Sequence, residues 1–311
     1  SASIGAMTNA YGFYSLTIPI GKNKLSVAYI GYNDYETELT SPVNQTVNVS
    51  LQPTSRELKA VEISARKSDD NIRNSEVSAV KLDIKQLEKI PVLFGEKDLL
   101  KTIQLLPGVQ PAAEGNSGFY VRGGSNDQNL ILLDEATVYN ASHLLGFFST
   151  FNNDAIKDAT LYKGNMPAEF GGRLSSVLDV KMKEGNNQNY VISGGVGLIA
   201  SRLNIEGPIV KDKGSFIVTG RRTYADLFLK LSRNEQQRKS ILYFYDLNAK
   251  ANYKIGKRDR IFISGYFGQD KFGFQDRFSI NYGNATATLR WNHIFSDKLF
   301  SNTSFIFNDF N

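Results

Sequence analysis

The sequence predicts a mainly β chain in three parts: a small β-sandwich, a mixed α/β domain, and the N-terminal strands of a transmembrane antiparallel β-barrel, incomplete as given. Three observations predict it. From Tyr243 to Ile255 every odd position is apolar, whereas the even positions after Phe244 are Asp246, Asn248, Lys250, Asn252 and Lys254, so one face suits lipid and the other water. Between Leu99 and Lys183 a short helical pattern, glycine turns and brief apolar runs follow one another, the order of a small mixed domain. Up to Pro53, short alternating runs are separated by turn residues, as in a sandwich.

Composition bounds the reading. A chain of 311 residues exceeds one ordinary domain, the usual size being ~100–200 residues. Aromatics make up 12%, with 15 Tyr and 20 Phe against one Trp, which favours β structure with wet and dry faces. The net charge of +5 comes from 36 basic and 31 acidic residues spread along the chain, so no nucleic-acid footprint forms. Zero cysteines exclude a disulfide framework and thiolate metal sites and leave the compartment open. No apolar run is long enough for a spanning helix. The chain starts inside one strand pattern and stops inside another, SFIFNDFN. A segment of a longer polypeptide is expected, and the missing signal peptide decides nothing.

Residues 1–53 read as the sandwich. Tyr14, Leu16 and Ile18 alternate before Pro19, Leu25, Val27 and Tyr29 after the Gly21-Lys22-Asn23 turn, and Val47, Val49 and Leu51 before Pro53. The pattern N-x-x-G-x-Y-x-L at Asn9 to Leu16, with Ile30-Gly31-Tyr32, resembles the carboxypeptidase regulatory-like domain, here truncated; another immunoglobulin-like sandwich is the competing reading. No peptidase site follows, because His143 and His293 are the only histidines and neither has a zinc spacing. Both are read as structural.

Residues 54–79 turn charged and small, RKSDDNIRNSE, the composition of a linker that cannot bury a core. Just before that run Val61, Ile63 and Ala65 alternate with Glu62 and Ser64. This is one short strand. On a tether it suits addition to another protein's sheet edge; it can equally be the sandwich's last strand.

Residues 80–188 form the mixed domain. Leu99, Leu100, Ile103 and Leu106 share a helical face that Pro107-Gly108 terminates. Phe119 to Arg122 is a strand entering a turn at Gly123-Gly124, where glycine permits positive φ and close backbone approach. An arginine held there points to a carboxylate partner through its planar fork, a solvated surface arginine being the ordinary alternative. Asn129 to Leu133 suits a buried strand, Asp154 a cap on the short DAIKD turn, and Ala159 to Lys163 a further strand before the Gly171-Gly172 turn. Neither GxxxxGK[ST] nor a helix-opening GxGxxG occurs, so nucleotide binding is not expected.

These motifs resemble the plug domain of TonB-dependent outer-membrane receptors. The residues that carry the likeness are Pro107-Gly108-Val109, Val121-Arg122-Gly123, Leu132-Leu133-Asp134, Lys163-Gly164 and Phe170-Gly171, in the family's order. Glu135 stands where the family usually has glycine, and GGRLSSVLDVKMK where GGVINIITK is commoner. The resemblance implies a mixed α/β plug domain behind a periplasmic N-terminal segment, in the outer membrane of a Gram-negative bacterium of the Bacteroidota type. It implies that Val61, Glu62, Ile63, Ser64 and Ala65 form the TonB box, and that Arg122 and Arg173 latch the plug to the barrel. The V-V-D-G signature of the branch that works with a surface lipoprotein is missing, so that partner is not expected.

Residues 189–311 read as about seven barrel strands. Thirteen residues from Tyr243 at ~3.3 Å each, tilted ~45°, cover the ~30 Å of a hydrocarbon core. Ala287, Leu289, Trp291 and Phe295 face one way and Thr288, Arg290 and Asn292 the other, with His293 breaking the apolar face. VKDKG, GKRD and SDK are short turns, LKLSRNEQQRKS and FGFQDRFSINY longer loops. An open sheet would leave an edge in lipid, so further strands must follow; a soluble sheet with one wet face is the alternative. The function expected is energised uptake of a ligand whose identity the sequence does not give, without cofactor, metal or catalytic residue. The alternative is a surface adhesion or scaffold protein without transport.

Overall fold

The computed structural model describes residues 4–9, 12–29, 32–40, 45–52, 79–83, 98–274 and 278–311, in two units, Ser1–Ser68 and Asp69–Asn311. In the first unit β1 (Lys22–Val27) pairs antiparallel with β2 (Tyr35–Thr40), Lys22 opposite Thr40 and Val27 opposite Tyr35. The runs 14–18 and 47–51 keep the expected alternation of half-buried and exposed side chains but form no strand ladder. They meet through the Tyr14 hydroxyl, which donates to the Val47 carbonyl at 2.9 Å. Among the described residues the sandwich is therefore one hairpin with extended flanks. Its second strand, YETELT, was not anticipated, because Glu36 and Glu38 mask its alternation.

The mixed domain begins with β3 (Ala79–Asp83) and α1 (Leu99–Ile103). Asp98 caps α1 by accepting from Leu100 N at 2.8 Å and Lys101 N at 3.1 Å. Its other oxygen takes the Ser117 hydroxyl and the Ser149 amide, each at 2.9 Å. One carboxylate thus ties the helix to two distant turns. Then come β4 (Val109–Pro111), β5 (Phe119–Val121), β6 (Asn129–Leu133), β7 (Ala136–Thr137), β8 (Ser142–His143), β9 (Phe148–Ser149), β10 (Ile156–Tyr162) and β11 (Ser176–Met182). The main sheet has the order β3-β10-β11-β6-β7, with only β11 and β6 parallel. Leu99, Leu100 and Ile103 pack with Phe119, Leu161, Leu178 and Val180 in its core. Strand β10 starts at Ile156, inside the segment read as an Asp154-capped turn; Asp154 instead pairs with Arg202 at 3.2 Å.

The remainder is a seven-stranded antiparallel meander: β12 (Val191–Val196), β13 (Ala200–Val210), β14 (Gly214–Thr223), β15 (Ile241–Lys254), β16 (Asp259–Phe274), β17 (Phe278–Ser296) and β18 (Leu299–Phe310). Turns at 211–213, 255–258 and 297–298 lie at one end. At the other, 224–240 carries α2 (Ala225–Lys230) and α3 (Glu235–Arg238). The second expected long loop is mostly strand: Phe274 pairs with Phe278, and Ile280 with Phe272.

The sheet is inside out relative to a soluble one. Asn204, Thr219, Asp246, Asn248, Lys250 and Asn252 are buried against the mixed domain, whereas Leu203, Leu247, Ile263, Leu289 and Phe305 face outward and exposed. A side-chain period of two keeps these polar positions on one face, where Ile217, Phe244, Phe262 and Tyr266 are buried beside them. The soluble-sheet alternative fails on this sign, because water would select the opposite arrangement. His293 does not stay a lone polar break: its Nδ1 lies 2.6 Å from Asp259 Oδ1, which also accepts from Trp291 Nε1 at 2.9 Å.

Candidate functional site at the boundary between domain and sheet

The buried boundary is built from charge pairs, most with the carboxylate on the mixed domain. Strands β6 and β7 are joined by the two-residue turn Asp134-Glu135, whose φ angles of +46° and +76° are left-handed at both positions, the signature of a type I′ hairpin turn. That turn aims both carboxylates at the sheet. Asp134 takes Lys250 Nζ at 3.0 Å, and the same ammonium donates to the Met182 carbonyl at 3.0 Å. Glu135 takes Arg290 at 2.9 Å, and Glu184, just past β11, takes Arg260 at 2.6 Å.

Nearer the 224–240 end the charges reverse. His143 of β8 is 1% exposed. Its Nδ1 sits 2.6 Å from Asp270 Oδ2 and its Nε2 lies 3.4 Å from Asp246 Oδ2. Arg221 grips that Asp246 oxygen through Nε at 2.9 Å and Nη2 at 2.6 Å, and Nη2 also donates to the Ser149 carbonyl across the boundary. Phe244 stacks on the imidazole with centroids 4.1 Å apart, and the Tyr266 hydroxyl lies 3.3 Å from Nε2. Burial alone would lower the His143 pKa, but hydrogen bonds and charge from Asp246 and Asp270 outweigh it and raise it above the ordinary value. When His143 carries its proton, it and Arg221 face the two carboxylates of Asp246 and Asp270.

Asp270 has a second duty. Its Oδ1 accepts from Leu144 N at 2.7 Å, the first residue of a loop in which Leu144, Leu145 and Gly146 all have positive φ, +49°, +59° and +106°. Two non-glycine residues in this region cost of order 1–3 kcal/mol each. Beside the loop lies a cavity of about 300 Å³, with Leu144, Leu145 and Phe147 on one side and Ile199, Leu242 and Phe272 on the other.

Residues 71–176 match the family described as TonB-dependent Receptor Plug Domain. The mixed domain has the plug fold. Solved structures share it together with the adjoining barrel wall. The siderophore receptor PirA from Acinetobacter baumannii is 15% identical, with TM-score 0.52, over 74% of this chain and 39% of that one. A variant of the ferric enterobactin receptor PfeA from Pseudomonas aeruginosa, solved with enterobactin, is 14% identical, with TM-score 0.53, over 75% and 41%. The copper transporter OprC is 12% identical, with TM-score 0.53, over 74% and 37%. The chain spans about two-fifths of the length of these proteins. No curated protein sequence matches it.

The plug places the anticipated residues unevenly. Val61, Glu62, Ile63, Ser64 and Ala65 lie outside the described residues. Arg122, at φ +50°, is exposed, and its guanidinium lies over Gly164, which stands at φ +150°. Arg173 donates to the Gly172 carbonyl at 2.9 Å. Gly123 has φ +83°, and a Cβ at Gly124 would strike Ser175, whose hydroxyl donates to Val121 O at 2.8 Å. Gly172 has φ +82°, while Gly171 faces open space. Among the described residues, ion pairs between the mixed domain and the sheet fall on Asp134, Glu135, His143, Asp154 and Glu184. The signal that could have found their partners was present: Asp246 and Lys250 are charged residues at inward positions of a barrel strand, where a charge needs a partner.

Proposed function

We infer that the chain is the plug and first wall of a TonB-energised outer-membrane transporter, which takes up a small ligand and makes or breaks no bond. The observation that carries this is the sheet's reversed polarity: its apolar face is bare, and its polar face is ion-paired to a plug. Such a sheet is satisfied only as part of a closed barrel in a bilayer. In this reading the 211–213, 255–258 and 297–298 turns face the periplasm and the 224–240 loop faces outward.

Val61 to Ala65 would add as a strand to TonB in the periplasm, transmitting a pull to the plug. Arg122 and Arg173 would latch the plug to wall strands other than β12–β18. The N-terminal unit would be the regulatory-like sandwich that precedes such plugs. The test is Ile63→Pro in the full-length protein, which removes a main-chain donor from the TonB pairing. Ligand uptake and cross-linking of residue 61 to TonB should both disappear while ligand binding persists; unchanged uptake would overturn the box assignment.

A further inference from the structure

The backbone at 144–147 is stretched between plug and wall. Leu144 N donates to Asp270 Oδ1 of β16 at 2.7 Å, and Leu145 N to the Tyr282 hydroxyl of β17 at 3.1 Å. The carbonyls run the other way. Gly146 O accepts from Ser117 N at 2.6 Å, Leu145 O from Asn116 Nδ2 at 3.3 Å, and Phe147 O from Lys101 Nζ at 2.8 Å. All three carbonyl partners belong to the plug, and both amide partners belong to the wall. The amides that the wall holds are those of the two left-handed leucines, at φ +49° and +59°. Gly146 carries its φ of +106° without strain, whereas leucine has a Cβ that crowds the backbone in this region.

The geometry points to a loop that is left-handed at both leucines only while the plug is docked. Asp270 and Tyr282 hold it there, and parting plug from wall lets Leu144 and Leu145 return to the ordinary regions of backbone space. An amide that has lost its wall acceptor gains nothing by staying left-handed, and side-chain sterics favour the other regions. The strain carried in the docked state therefore favours separation. It offsets part of what breaking the buried pairs of Asp134, Glu135, His143 and Glu184 requires. The loop is also wired to one of those pairs: Asp270 binds Leu144 N with one oxygen and His143 Nδ1 with the other. The carboxylate that fastens the plug thus keeps the loop strained, and its loss frees both together. This rests on the transport reading above, in which a pull on the plug has to part it from the wall.

The test uses the full-length receptor in lipid nanodiscs with a reporter cysteine at Thr219, an inward wall position that is 1% exposed. Among the described residues the Thr219 hydroxyl has no hydrogen-bond partner, so Thr219→Cys removes no bond. Maleimide labelling of residue 219, read by peptide mass spectrometry, reports separation of plug and wall. Leu145→Asn relieves the strain, because asparagine takes the left-handed region more readily, and labelling should slow by at least about fivefold. Tyr282→Phe removes the acceptor of Leu145 N. In that background the strain at 145 is already released, and adding Leu145→Asn should leave the labelling rate unchanged. Labelling that is equal or faster with Leu145→Asn beside the wild-type Tyr282 would overturn the proposal. So would the same slowing in the Tyr282→Phe background, which would mean that the plug alone imposes the left-handed backbone. Because the assay needs neither TonB nor uptake, either failure leaves the transport reading standing.

Discussion

Glu135 of the plug accepts from Arg290 of β17 at 2.9 Å while its own backbone stands at φ +76°, a conformation that glycine would take without strain. The plug motif that the sequence resembles carries glycine at this turn position. Here a side chain is retained in the left-handed region, and the ion pair it reaches across the boundary accounts for it.

Two substitutions separate the terms. Glu135→Ala keeps the strained backbone and loses the pair; Glu135→Gly loses both. Left-handed strain is about 1–2 kcal/mol, and a partly exposed ion pair contributes about 0–1 kcal/mol. The glycine variant should therefore melt within about 1 kcal/mol of wild type and above the alanine variant. An alanine variant more stable than the glycine one would remove strain from the account.

Lys250 is the counter-ion of a buried carboxylate. Lys250→Met should destabilise the plug–barrel assembly by about 3–5 kcal/mol, because Asp134 is left charged and enclosed. Adding Asp134→Asn should recover most of that loss, since asparagine tolerates the left-handed turn. Thermal melts of the single and double variants decide it; a double variant as unstable as Lys250→Met alone would contradict the pairing.

The His143 cluster makes docking pH-dependent in one direction. Its folded pKa is raised, so its contribution is complete below the unfolded value of about 6.5 and declines as pH climbs through the raised folded value. Melts from mildly acidic to alkaline pH should show wild-type stability falling over that window and His143→Gln flat across it. A histidine-dependent rise in stability with pH would reverse the assignment.

Much of the wall was legible because a β-strand's period of two needs no knowledge of its neighbours: the alternation at Tyr243–Ile255 reappears as buried Asp246, Asn248, Lys250 and Asn252. The FGFQDRFSINY segment misled because its polar and glycine content reads as loop, yet β16 and β17 continue through most of it on backbone hydrogen bonds. Asp154 looked like a cap from its local sequence, and Arg202, 48 positions away, took it instead. The reading of His143 as structural named no partners for it, and these lie on β15 and β16. Partners of this sort are fixed by tertiary register: an inward charge on a barrel strand signals that a partner is needed, but one sequence does not say which residue it is.

The most direct measurement is the electrophoretic mobility of the full-length polypeptide from the outer-membrane fraction, in detergent, before and after heating. A closed barrel that resists detergent until heated should run faster unheated and slow on boiling. A polypeptide absent from that fraction, with one mobility in both states, would mean that the sheet does not close in a bilayer, and the transporter account would be wrong.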